Sequence, residues 1–150
     1  MTDAVDKRTY VAAALDLEKL LVAHGASQGR ETEADCPVKH SFGDGCYVRE
    51  WESPAGMLVV SKIHKVAHPY FILRGDVSVV TETGIERIKA PYYGITPRGT
   101  KRVLYTHEPT LWVTVHVTES KDVDEIEREI ICTDIDDPCL DNIKFEELQP

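Results

Sequence analysis

The chain has 150 residues, 42 % of them aliphatic or aromatic and 29 % charged, which fits one globular domain able to bury a core without disulfide or metal staples. Its formal net charge is −9, and the whole excess lies in residues 119–150, which hold 12 acidic and 3 basic side chains, whereas residues 1–118 hold 14 of each. A neutral body with an acidic end argues against nucleic-acid binding by phosphate neutralisation and against adhesion to an anionic membrane, and no apolar run approaches the roughly 18 residues that a bilayer span needs.

Residues 1–7 lack the basic and apolar regions of a secretory signal, so a cytoplasmic location is expected. In that setting Cys36, Cys46, Cys132 and Cys139 are expected to be reduced thiols. Their spacings of nine and six intervening residues are not those of a zinc pair.

In chain order, residues 3–24 predict an amphipathic helix. Tyr10, Ala14, Leu17 and Leu21 share a face with Val11 and Leu15 beside them, and His24-Gly25 supplies a stop. Its stripe must pack on the rest of the chain or on a partner. Residues 26–45 read as loop, ending in the turn Gly43-Asp44-Gly45. Extended segments follow at 46–51, 57–64, 69–73, 77–82, 85–90, 101–106 and 111–118, separated by Gly and Pro turns, which is the pattern of an all-β sandwich or barrel. In the last segment Leu111, Val113, Val115 and Val117 alternate with Trp112, Thr114, His116 and Thr118. Residues 121–131 return to helix, with Asp122 and Glu125 spaced as a capping box. The acidic stretch from Asp134 fails as a calcium loop, because Cys139 stands where the loop requires glycine.

Two sets of residues carry a resemblance. Gly56-x7-His64-x3-His68-x2-Phe71-Ile72-Leu73-x-Gly75, followed by Pro97-x-Gly99-x2-Arg102, resembles the two motifs of the cupin superfamily. That resemblance implies a mainly β jelly-roll barrel over 46–118, with an N-terminal helix over 1–25 and an acidic helix and tail over 119–150, all in one domain. In the family four side chains usually hold a divalent metal; at the corresponding positions this chain has Lys62, His64, His68 and Arg102. Two of these are cations, and a divalent ion beside both would be electrostatically penalised. The resemblance therefore implies a scaffold with an altered site, no metal, and a pocket of Lys62, His64, His68 and Arg102 suited to an anion or to nothing. His116 is a further candidate for this pocket, although its place on the polar register of its strand favours the surface. Stretches such as 34–40, 62–65, 99–102 and 112–116 also resemble small proteins encoded by tailed bacteriophages, which implies a virion component.

The other constellations are weaker. No serine-hydrolase elbow and no glycine-rich phosphate loop occurs. His40 and His107 fall in turns, where solvation is expected. Arg87, Lys89, Arg98, Lys101 and Arg102 form a basic run with no acid between residues 87 and 107, a candidate docking surface for the chain's own acidic end or for a neighbouring subunit. The expectation that follows is a cupin-fold structural or interaction protein, more a scaffold than an enzyme, with no catalytic residue, no metal and no other cofactor, acting as a homo-oligomer. The competing expectation is a small-molecule cupin that uses the barrel pocket, as a metal-dependent enzyme or as a sensor of an anionic ligand.

Overall fold

The computed structural model describes residues 5–23 and 36–132. The chain is mainly β. Helix α1 (Lys7–Ala23) precedes β1 (Val38–Gly43), β2 (Cys46–Ser53), β3 (Leu58–Val60), β4 (Ile63–His64), β5 (His68–Arg74), β6 (Asp76–Thr81), β7 (Gly84–Lys89), β8 (Tyr92–Thr96), β9 (Val103–Thr106) and β10 (Thr110–Val117), and helix α2 (Val123–Ile130) and β11 (Ile131–Cys132) follow. One sheet runs β1-β2-β10-β5-β8, a second β3-β9-β6-β7, and β4 pairs with β11. All pairings are antiparallel, and the two larger sheets form the jelly roll of cupin type that the sequence resemblance implies.

The core lies between the sheets. Trp51, Tyr70, Ile72 and Trp112 from the larger sheet meet Val77, Val79, Ile88 and Leu104 from the smaller. The alternation of side chains along each strand puts every second residue into this space. The chain crosses from one sheet to the other at Gly75, whose φ is +121° and where a Cβ would stand 2.4 Å from Thr110 Oγ1.

Helix α1 is not unpartnered. Val11 packs with Ile63 and Cys132, the Tyr10 hydroxyl donates to Val80 O at 2.6 Å, and Lys7 pairs with Glu82 at 3.4 Å. Positions 3, 4 and 24 of the expected helix, Cys139 and the tail beyond Cys132 lie outside the described residues. Cys36 and Cys132 are buried and Cys46 is half-buried. At α2, Asp122 caps the helix by accepting from Asp124 N at 2.9 Å and Glu125 N at 3.4 Å. The reciprocal arm of a capping box is absent here: the Glu125 carboxylate takes the Ser120 hydroxyl, and Ser120 Oγ accepts from Asp122 N.

Several segments depart from expectation. Val38–Gly43 is a strand rather than loop; its polar Lys39, His40 and Ser41 hid a hairpin partner of β2. The expected strand over 57–64 breaks at Ser61 and Lys62 into β3 and β4. Tyr92–Thr96 forms a further strand after Pro91, paired in the larger sheet with β5, whereas β7 before the proline belongs to the smaller one. Last, the register of β10 expected on the surface faces inward, and Val113 of the other register is buried as well. Trp112, Thr114 and His116 are buried, while Val117 is 89 % exposed.

Candidate functional site

The larger sheet delivers its inward side chains in layers. In the register of β2, β10, β5 and β8, Trp51, Trp112, Ile72 and Tyr92 are mutually opposite, and the next inward layer is Arg49, Thr114, Tyr70 and Gly94. The layer beyond holds Tyr47 opposite His116, and His68 opposite Thr96. His64 arrives from β4, which β11 pairs at Ile131. Three imidazoles thus meet at one end of the barrel: ring centroids are 4.3 Å apart for His64 and His68, 4.5 Å for His68 and His116, and 5.3 Å for His64 and His116.

One nitrogen from each ring lies within 4.8 Å of the others, so the three can hold one metal ion. The donor chemistry fits a transition metal: three imidazole nitrogens suit zinc, iron, nickel or copper, whereas calcium and magnesium need oxygen ligands that the cluster lacks. Hydrogen bonds orient two of the rings. His68 Nδ1 stands 3.2 Å from Val66 O; donating there leaves Nε2 with a free lone pair. His116 Nε2 is 2.9 Å from the Thr114 hydroxyl, so Nδ1 is the nitrogen left for a ligand bond when Nε2 carries the proton.

The environment keeps these rings neutral. Burial, followed by His68, His116, Arg49 and Arg102, pushes His64 down to about 2. Burial, followed by His68 and Arg49, lowers His116 to about 3. His68 is lowered too, chiefly by burial, although its bond to Val66 works against this. A neutral imidazole is the form that binds metal. Tyr47 stacks on His116 at 5.8 Å, and burial above all raises its phenol to about 12, so it stays protonated. It shares a hydrogen bond with His40 Nδ1. His40 is in β1 rather than in a turn, and His107 is held by the Ser78 hydroxyl at 2.6 Å.

Of the pocket residues expected from sequence, the structure brings His64, His68 and His116 together, with Arg102 beside them. His116 is buried, not on the surface. Lys62 does not enter. Its side chain is exposed and meets Glu127 of α2 at 3.5 Å, because the break between β3 and β4 turns residue 62 outward. The expectation of no metal rested on two cations at ligand positions; one of them is outside, and His116 supplies a third nitrogen. Arg49 escaped the sequence reading. Its signal was the alternation Tyr47, Arg49, Trp51, which sets it on the same strand face as two buried aromatics.

The expected basic docking surface is dispersed. Arg87 makes two bonds of 2.8 and 2.9 Å to Asp76, which Lys89 also approaches at 3.9 Å. Lys101 is 2 % exposed and bonds Glu18 of α1 at 2.8 Å and Ser61 O at 2.9 Å. Arg102 turns into the barrel, and Arg98 is exposed. The tail expected to dock there lies mainly outside the described residues. Its described part, α2, packs Ile126 and Ile130 on Tyr47 instead.

No family model matches the chain. No curated protein matches it either. Among solved structures it is similar to a cupin 2 domain-containing protein from Halorhodospira halophila, with 15 % identity and a TM-score of 0.49 over 65 % of this chain and 77 % of that one. It is similar to a cupin domain from Bordetella pertussis, with 14 % identity and a TM-score of 0.45 over 56 % of this chain and 94 % of that one. It is also similar to an acetylacetone dioxygenase from Acinetobacter johnsonii, with 21 % identity and a TM-score of 0.44 over 55 % and 58 % of the two chains.

Proposed function

We propose that the protein is a small-molecule cupin built around a single transition-metal centre held by His64, His68 and His116. The observation that carries this is the convergence of three neutral imidazoles on one point, His68 and His116 buried and His64 half-buried, two of them with one nitrogen occupied by a backbone or hydroxyl partner. Three protein ligands leave coordination positions open, the arrangement of a reactive site rather than a structural one. A bound ion would supply Lewis acidity there. The chain's own residues fix two of the rings by hydrogen bonds, stack Tyr47 on His116, and keep each imidazole unprotonated at neutral pH. Ile126 and Ile130 of α2 pack against Tyr47 at this end of the barrel.

Elemental analysis after expression in metal-supplemented medium tests this. The expected result is near-stoichiometric zinc, iron, nickel or cobalt, lost in His68→Ala and in His116→Ala. A folded wild-type protein that takes up none of these ions, even when titrated with cobalt, overturns the proposal.

A second reading, self-association, is favoured by the outer face of the larger sheet. Leu73, Tyr93, Ile95 and Val117 are 52 %, 75 %, 63 % and 89 % exposed there, and Phe71 stacks on Tyr93 between them. This is the kind of apolar surface that a second copy covers.

A further inference from the structure

The histidines bring no negative charge to the pocket, and neither do the side chains next to them. Arg49 occupies the inward layer directly beneath Tyr47, opposite Thr114. Arg102 enters from the smaller-sheet side, its guanidinium 5.0 Å above the centre of the Tyr70 ring and 6.0 Å from that of Trp112. Arg102 Nη1 donates to Thr96 Oγ1 at 2.9 Å, and Thr96 is the residue opposite His68. Two guanidinium groups therefore stand in the layers beneath and beside the three imidazoles, and both act on His64.

Among the described residues no carboxylate lies within ion-pair distance of either arginine. Glu127 acts on Arg49 only from a distance, being engaged with Lys62, and Glu82 and Glu86 act on Arg102 in the same remote way. A guanidinium carries five donors, and Thr96 takes one of those of Arg102. Two partly buried cations with no anion beside either are costly in a medium of low dielectric. A divalent ion on three neutral ligands adds to the same sign of charge.

We propose that this pocket takes a small organic acid whose carboxylate is met by Arg49 and Arg102. The planar fork of arginine matches a carboxylate in two parallel bonds. The aromatic walls Tyr47, Tyr70 and Trp112 suit a flat, compact organic anion better than a tetrahedral one. The ligand class rests on the metal-centre reading for the part of the acid that faces the histidines; the guanidinium pair stands on its own geometry.

Calorimetric titration of zinc-loaded protein with malonate, malonamide and inorganic phosphate tests the inference, with zinc content measured on the same samples. Malonate is expected to bind and its neutral diamide is not. Arg49→Gln and Arg102→Gln are each expected to weaken malonate by about tenfold or more while zinc is retained. Because Arg102 also packs on two rings, Arg102→Lys serves as a second variant that keeps the charge and loses the fork, and it is expected to weaken malonate by less than Arg102→Gln. Malonate affinity unchanged in all three variants at full zinc occupancy overturns the inference and leaves the metal centre standing. Equal binding of malonate and malonamide overturns it as well, and phosphate binding more tightly than malonate overturns the carboxylate class. Arginine-dependent malonate binding in a protein that takes up no zinc upholds the guanidinium site and overturns the metal reading instead.

Discussion

At the scale of single residues, the histidine cluster ties chemistry to stability. In the metal-free protein His64 and His116 have values lowered from 6.5 to about 2 and about 3. Unfolding returns them to the ordinary imidazole range, so below pH 6.5 the unfolded chain binds protons that the folded chain refuses. The sign is therefore definite: their effect on stability is absent above that pH, and stability falls as pH drops towards 3. Each ring contributes a slope of up to about 1.4 kcal/mol per pH unit. Urea denaturation of metal-free protein between pH 7 and 5 should show the loss, and His116→Gln should flatten the dependence. A curve with the same slope in the variant would refute the assignment. Lys101 shows the opposite use of a charge. It is the most deeply buried cation of the basic run, and its partner Glu18 lies on α1, so the residue fastens the helix to the barrel and is not available to a partner.

At the scale of elements, short interactions at ends and crossings decide whether the site is assembled. Asp122 satisfies two donors of the first turn of α2, and α2 buries Ile126 and Ile130 against Tyr47 beside the histidines. Asp122→Ala is expected to cost about 1 kcal/mol, read as a shift of the urea midpoint with an unchanged slope. Gly75 is the stricter case. Its positive φ disfavours any side chain, and an added Cβ would meet Thr110 Oγ1 at 2.4 Å and the Thr110 backbone at 2.9 Å. Gly75→Ala is expected to destabilise by about 2–3 kcal/mol; a thermal midpoint equal to wild type would show that the crossing yields more easily than this geometry allows.

At the scale of the whole molecule, the jelly roll separates two surfaces that the sequence merges. The inner face of the larger sheet carries the polar and aromatic residues that surround the histidines. The outer face carries Leu73, Tyr93, Ile95 and Val117, exposed to 52 %, 75 %, 63 % and 89 %. Light scattering at micromolar concentration should give a mass above that of one chain, and Tyr93→Lys with Ile95→Lys should reduce it to one chain without loss of bound metal. A monomeric wild-type protein would sink the self-association reading and leave the barrel site untouched.

Much of the architecture was legible in the chain alone. Gly and Pro turns between short extended runs predicted the barrel, the 3.6-residue stripe predicted α1, and Asp122 predicted the start of α2, because these signals are local and act through backbone conformation. His64 and His68, four apart on an extended segment, were recognisable as neighbours for the same reason. What tertiary structure decided is which face of each strand is inside. Alternation fixes that Trp112, Thr114 and His116 share a face, but not that this face is the interior. In a barrel whose interior carries polar side chains, hydrophobicity ceases to mark the inward register. That single ambiguity exiled His116 and hid Arg49. The place of Lys62 depended on a strand break, and the separation of the basic run depended on Asp76 and Glu18, 11 or more residues away in sequence. Contacts between distant segments set these positions, and no local pattern encodes them.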